Sequence, residues 1–135
     1  MRRGALLLGC VLLVAAEQAP AGVRVITYAN PPPVTVDEDF LTAAFTMQLR
    51  EWPDGTPLRV FVLPDRDPTH VEFLREHLKT YPYVLRNLWT RLVFTGTGLE
   101  PTTVRNDDEM LQKVRTTPGA IGYVHSGDAT DRGHR

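Results

Sequence analysis

Three observations predict an α/β domain with a small, mostly parallel sheet flanked by helices. Residues 23–28, 58–63 and 120–124 are short apolar runs rich in β-branched residues, which favour strands. Between them lie segments with apolar residues at helical spacing. The resulting order, β-α-β-α-α-α-β, is typical of domains whose parallel strands are joined by right-handed helical crossovers.

The first strand is followed by a stiff connection and a helix. Residues 31–33 are prolines, which cannot donate a backbone hydrogen bond and therefore predict an extended segment. Thr35 or Asp37 is predicted to cap the next helix, because both side chains can accept from a free amide there. Acidic residues in the first turn stabilise the helix, because they lie near the positive end of its dipole.

The middle of the chain contains a turn, a buried strand and two helices. The turn at residues 52–55 has proline, aspartate and glycine in favourable positions. The strand at 58–63 is dominated by apolar residues, as in strands buried on both faces. Asp67 and Pro68 are then expected as the N-cap and first residue of a helix. Tyr81 and Pro82 interrupt it before a further helix over residues 84–92.

The last unit is a helix, a glycine turn and a strand. The helix is expected to open at Asp107, with Met110, Leu111 and Val114 directed inward. Pro118 and Gly119 end it, because proline lacks an N–H and glycine accepts a positive φ. The strand at 120–124 follows, and residues 125–135 are expected to be a flexible tail.

Residues 1–22 have the features of a cleaved signal peptide. Arg2 and Arg3 precede an apolar run over residues 5–16, and small residues follow for cleavage. That run is shorter than the roughly 20 residues that a membrane-spanning helix needs. We therefore expect a periplasmic or secreted protein. Cys10 would be removed with the signal, which leaves no cysteine for a disulfide, a nucleophile or a metal.

Charge and motifs exclude several function classes. The chain has 15 basic and 16 acidic residues, a net charge of −1, without the clustered basic surface that nucleic-acid binding requires. Signatures of nucleotide binding, serine hydrolases and zinc peptidases are absent from the sequence. The sequence therefore predicts a protein that is not an enzyme, with no cofactor and no nucleic-acid partner.

The loop at residues 64–69 is the leading candidate for a binding site. It follows a core strand and opens a helix, the position where α/β sheets bind ligands and where free amides attract anions. Asp65, Arg66, Asp67 and Thr69 supply its polar groups. The alternative is an ordinary turn capped by Asp67. The two aspartates would repel an anion unless they were protonated or paired with Arg66, which we expect to be the only nearby cation.

Two histidines and two tryptophans are further candidates. His70 and His77 are two helical turns apart, about 10 Å of rise, which is too far to share one metal ion easily. We therefore predict no metal site and interpret them as solvated helix residues. Trp89 lies on an apolar helical stripe and is predicted to be core. Trp52, beside a turn, is compatible with either packing or ligand stacking.

Several motifs in order resemble a known family. They are Phe45, the turn at 52–55, Phe73, the segment at 89–96 with its Phe-Thr-Gly, and the Pro-Gly-Ala-Ile-Gly-Tyr-Val run at 118–124. This order resembles short, single-domain relatives of the phosphate-binding proteins of ABC transporters, in the type II periplasmic binding protein superfamily. The resemblance spans residues 23–124 and implies that fold for them.

The resemblance also implies a ligand site, from which this chain departs. By motif order, Asp65 matches the family's aspartate and Thr69 its threonine. Leu63 stands where the family has an arginine, and Asp67 and Pro68 replace a serine and a glycine. The first-strand loop, where Asn30 could donate, is otherwise proline-rich and poor in N–H groups. The implied site is Asn30, Asp65, Arg66, Asp67 and Thr69.

Two functional hypotheses follow. One is an exported solute-binding protein, similar to the phosphate-binding component of an ABC transporter, with phosphate or another small oxyanion as ligand and a membrane permease as partner. The other is an extracytoplasmic interaction or sensing domain that kept the fold, lost phosphate and binds an envelope protein. A metal-dependent enzyme using Asp65, Asp67 and His70 is a weaker third.

Overall fold

A computed structural model describes residues 22–96 and 99–127 as a four-stranded sheet with helices on both faces. The strands are β1 (Val23–Thr27), β2 (Arg59–Val62), β3 (Thr102–Thr103) and β4 (Ala120–His125). The helices are α1 (Glu38–Phe45), α2 (Pro68–Phe73), α3 (Pro82–Phe94) and α4 (Asp107–Thr116). The predicted α/β class is confirmed.

The sheet has the order β1-β4-β2-β3 and is mostly parallel. β2 runs parallel to both β3 and β4, whereas β1 pairs antiparallel with β4, with Val25 opposite Tyr123. β3 is a two-residue strand that the sequence did not predict. β4 extends to His125, one residue into the segment that we expected to be tail. The predicted signal peptide and residues 128–135 of the predicted tail lie outside the described residues, apart from Gly22.

Side-chain caps begin three of the helices. Asp37 accepts from the amide of Phe40 at 2.9 Å, Asp67 from that of Thr69 at 2.8 Å, and Asn106 from that of Glu109 at 2.9 Å. Each bond satisfies an amide that has no partner inside the helix. α2 continues as a π-helical segment (Leu74–Leu78), which ends at Lys79 in the left-handed conformation.

An aromatic core fills the face of the sheet that α1 and α2 cover. The rings of Phe73 and Tyr123 stack with centroids 4.1 Å apart, and Phe45 packs against both. Trp89 is fully buried and its Nε1 donates to the carbonyl of Phe45 at 2.9 Å. The prediction that Trp89 belongs to the core is confirmed.

Glycine allows α4 to approach the opposite face. A Cβ on Gly122 would lie 2.5 Å from Sδ of Met110 and 3.2 Å from Val114, both in α4. Only a residue without a side chain fits this contact. Ile26 and Arg24 of β1 pair with Gly122 and Val124, and therefore share the face that α4 covers.

The glycine turn before β4 also decides the role of Trp52. Gly119 has a φ of 81°, and a Cβ there would lie 2.1 Å from the carbonyl oxygen of Pro57. Trp52 is buried, and its Nε1 donates to the Gly119 carbonyl at 2.9 Å. Through this hydrogen bond, Trp52 connects the turn at 52–55 to the start of β4.

Candidate functional site

The loop that follows β2 is closed by its own polar groups. The amide of Asp67 donates to the carbonyl of Pro64 at 2.9 Å, which forms a tight turn. The Asp67 carboxylate accepts from the amide of Thr69, so the amide closest to the predicted ligand position already has a partner. This is the ordinary capped turn that the sequence left as an alternative to an anion site.

Asp65 forms a bidentate ion pair with an arginine from α3. Nε and Nη2 of Arg86 lie 3.2 and 3.1 Å from the two Asp65 oxygens, and Nη1 lies 3.3 Å from Oε1 of Glu100. The hydrogen bond to Asp65 raises the pKa of Arg86. The expectation that Arg66 is the only nearby cation is wrong, because Arg66 is exposed and Arg86 holds the carboxylate.

A buried hydrogen-bonded chain lies beneath this loop. The hydroxyl oxygen of Tyr123 accepts from the amide of Leu63 at 3.0 Å and is hydrogen-bonded to Nδ1 of His70. Both side chains are fully buried. The prediction that His70 is a solvated helix residue is therefore wrong, because α2 turns it toward β4 and away from water.

Burial sets the protonation of this pair. Desolvation lowers the pKa of His70 despite the nearby carboxylates of Asp65 and Asp67, and Arg86 lowers it further. Desolvation also raises the pKa of Tyr123 well above 10.0. At neutral pH the pair therefore consists of a neutral imidazole and a neutral phenol, joined by the hydrogen bond at Nδ1. Nε2 of His70 is buried without a partner among the described residues.

The charges around the loop do not favour a doubly charged anion. Arg86 offsets the carboxylate of Asp65 and is itself shared with Glu100, whereas the carboxylate of Asp67, among the described residues, accepts only from the amide of Thr69. A negative charge about 4 Å from the other carboxylate would cost roughly 4 kcal/mol at the effective dielectric near a protein surface. A hydrogen bond to a charged group contributes only about 1.5–3 kcal/mol, so repulsion outweighs one recovered donor.

Asn30 lies at the other end of the sheet. Because β1 runs antiparallel to β4, its carboxyl end meets the start of β4, where the amide of Tyr28 donates to Ala120. The loop at 64–69 lies instead beside Tyr123, three residues along β4 and about 10 Å away. The structure therefore brings Asp65, Arg66, Asp67 and Thr69 together and leaves Asn30 apart.

Asn30 lines a groove between β1 and α4. The groove has a volume of about 430 Å³ and is bounded by residues 24–28, by Leu111, Val114 and Arg115 of α4, and by the proline-rich connection. Arg24 and Arg115 are exposed, and no carboxylate among the described residues lines the groove.

The described part of the chain contains neither a metal-binding cluster nor a helix suited to cross a membrane. Within residues 22–96 and 99–127, no group of three histidine, cysteine, aspartate or glutamate side chains is arranged to hold a metal ion. His77 lies 3.9 Å from Glu38, on the side of α2 that faces α1. No helix in the same ranges is both long and apolar enough to cross a membrane.

Two solved structures share this fold. The chain superposes on PstS from Borrelia burgdorferi with a TM-score of 0.61 and 15% identity, covering 84% of this chain and 44% of that one. An ABC-type phosphate transport receptor from Vibrio cholerae gives 0.50 and 12%, covering 79% and 41%. The chain has the fold of these phosphate receptors. No protein-family model and no curated protein sequence matches it.

The receptor fold confirms the resemblance that the sequence motifs carried, at the level of architecture. The structures that it matches are solute receptors, not enzymes. This chain spans less than half of their length, and at these identities the likeness shows the fold alone.

Sequence reasoning did not find three of the residues around the loop. Arg86 and Glu100 come from α3 and from the segment before β3, and Tyr123 comes from β4. Arg86 is 21 positions from Asp65, and Tyr123 is 60 from Leu63. The available signal was that Tyr123 is the only residue with a polar side-chain atom in a strand, residues 120–124, that is otherwise apolar.

Proposed function

We propose that this chain is an exported, non-enzymatic domain with the phosphate-receptor fold that acts by binding an envelope protein, and that it has lost phosphate binding. One observation carries this proposal: the polar groups of the ligand loop are engaged with one another. Asp67 holds the Thr69 amide, and Asp65 holds Arg86.

The position of Asn30 supports the same proposal. To bind a small anion, a protein must replace the water around it with several hydrogen-bond donors that converge from different sides. Asn30, the other predicted donor, lies at the opposite end of the sheet from the loop.

A small-oxyanion receptor is the second candidate. Arg86 favours this candidate. The fold brings its guanidinium to the loop, where the sequence has Leu63 in place of the arginine of the family that it resembles. Arginine is well suited to bidentate contacts with oxyanions. For an oxyanion to bind, Arg86 would have to use the N–H groups that Asp65 and Glu100 leave free.

Isothermal titration with inorganic phosphate at neutral pH distinguishes the two. We expect no saturable heat at millimolar phosphate. Saturable binding that Arg86→Gln abolishes, and that the control Arg91→Gln on the same helix retains, would establish the oxyanion receptor and overturn the proposal.

Export rests on the predicted signal peptide at residues 1–22. Expression of the full-length chain with a C-terminal tag, followed by fractionation and N-terminal sequencing, tests it. A processed chain in the periplasm or medium is the expected result, and an unprocessed chain confined to the cytoplasm would contradict it.

A further inference from the structure

The outer edge of the sheet at β1 has backbone groups free to pair. β1 is an edge strand and, among the described residues, pairs only with β4. Tyr28 donates to Ala120, and Gly22 accepts from Ser126, so even-numbered residues of the strand face β4. Backbone pairing alternates along an antiparallel strand. The N–H and C=O groups of Val23, Val25 and Thr27 therefore point outward.

A basic groove runs beside that edge. It lies between β1 and α4, has a volume of about 430 Å³, and has an apolar floor formed by Ile26, Leu111 and Val114. Arg24 and Arg115 stand exposed on its two walls, and neither forms an ion pair with a described residue. Because none of the lining residues that the structure describes is acidic, the groove is complementary to a negatively charged occupant.

We propose that an extended acidic segment of a protein partner adds to β1 as a fifth strand and lays its carboxylates on Arg24 and Arg115. Strand addition of this kind takes affinity from main-chain hydrogen bonds and specificity from alternate side chains. On such a strand, the residues directed toward α4 meet the two arginines and the apolar floor between them. This inference rests on the proposed function, since it names the surface and chemistry of the partner.

The same charges disfavour a second copy of the chain as the occupant. Natural proteins place charged residues on sheet edges because like charges oppose edge-to-edge pairing. Two copies paired through β1 would place their two Arg24 side chains on the same short pair of strands, where their charges would repel each other. The prolines at 31–33 end the strand just beyond Tyr28, which limits the edge to a short segment.

Nuclear magnetic resonance titration of the full-length, ¹⁵N-labelled chain tests the proposal. The probe is an acetylated, amidated octapeptide that alternates glutamate and valine, and the control probe has lysine in place of glutamate. We expect the largest shift changes at the amides of Val25 and Thr27, with slower hydrogen exchange there. The lysine peptide should leave these amides unchanged.

Charge reversal tests the two arginines. Exposed ion pairs contribute little individually, so we expect about a two- to fivefold loss of affinity for Arg24→Glu or Arg115→Glu, and roughly tenfold for both. The double variant should instead gain binding to the lysine peptide. The matched control, Arg75→Glu with Arg91→Glu, reverses two exposed arginines outside the groove and should bind like wild type.

Val25→Pro tests the backbone contact. It removes an outward N–H while leaving the even-numbered residues free to pair with β4. If circular dichroism shows this variant folded, peptide binding should be lost. If it is unfolded, the charge-reversal arm decides the question without it.

Three outcomes would overturn the proposal. They are no change at the β1 amides at millimolar peptide, equal binding of the lysine peptide, and concentration-dependent dimerisation through β1 without peptide. Phosphate titration in the same experiment reports on the amides near Thr69 instead. Failure at β1 is therefore distinguishable from phosphate binding at the loop, which would overturn the proposed function itself.

Discussion

The loop after β2 and the edge of β1 differ in whether their polar groups are already paired. In the loop, carboxylates, an amide and a guanidinium from three elements bind one another, above the buried pair of Tyr123 and His70. At the β1 edge, backbone groups and the two groove arginines face outward. The loop that the sequence predicted as a ligand site is closed by its own groups, while an edge strand offers the interaction surface that we propose.

The largest expected effect on stability is in the buried chain beneath the loop. Tyr123→Phe removes the hydroxyl that bonds the amide of Leu63 and Nδ1 of His70. Leaving two buried groups unpaired should lower the free energy of unfolding by about 3 kcal/mol, measured by urea denaturation. Tyr28→Phe beside the β1 edge, where the ring is 46% exposed, should change it by less than about 0.5 kcal/mol. Equal losses of stability in the two variants would contradict the difference between the paired loop and the edge of β1.

Acid should weaken the loop region through His70. Burial lowers the folded-state pKa of His70 below 6.5, so the unfolded chain binds the proton more tightly. Stability contributed by the neutral imidazole is therefore present at neutral pH and lost as the pH falls through the window below 6.5. The loss is at most about 1.4 kcal/mol for each pH unit.

Urea denaturation across that pH range checks this sign. His70→Gln should flatten the curve in the window, whereas the matched substitution His77→Gln, two helical turns further along, should leave the contribution of His70 to the slope in place. A wild-type curve that is flat between neutral pH and mild acid would contradict the assignment of a neutral, buried His70.

Removing the loop's cap should have a smaller effect. Asp67→Ala leaves the amide of Thr69 without its partner and should lower the free energy of unfolding by about 1 kcal/mol. Asp67→Asn keeps an accepting oxygen and should retain most of the stability. If Asp67→Ala leaves the stability unchanged, the carboxylate does not hold the Thr69 amide, and that amide is free to bind an anion.

The smallest effect on stability belongs to the groove. Arg24→Glu with Arg115→Glu changes two exposed side chains and should alter the free energy of unfolding by less than about 0.5 kcal/mol. The same variant should lose roughly tenfold in affinity for the acidic peptide. If the double variant unfolds, the two arginines stabilise the fold, and the groove does not differ from the loop in this respect.

Local features of the chain were predictable. Asp67 and Pro68 begin α2 as expected, because a cap depends on residues two or three positions apart. Trp89 is buried as expected, because its helical stripe repeats every three to four residues. Thr102 and Thr103 were missed as β3, since two exposed threonines carry no periodic pattern.

The direction of β1 was beyond the reach of the sequence. A strand pattern is the same whether the strand runs parallel or antiparallel to its neighbour. Placing Asn30 beside Asp65 required a parallel β1, whereas the observed antiparallel pairing puts them at opposite ends of the sheet.

By itself, the sequence determined three of the four strands that the structure describes, helices α1–α4, the cap at Asp67 and the glycine turn before β4, because these depend on neighbouring residues. Tertiary structure decided which partners the residues of the candidate site have. Asp65 meets Arg86 across 21 positions, and His70 meets Tyr123 across 53. Such pairs form only when helices pack onto a sheet and bring distant side chains within hydrogen-bonding distance, which local periodicity does not encode.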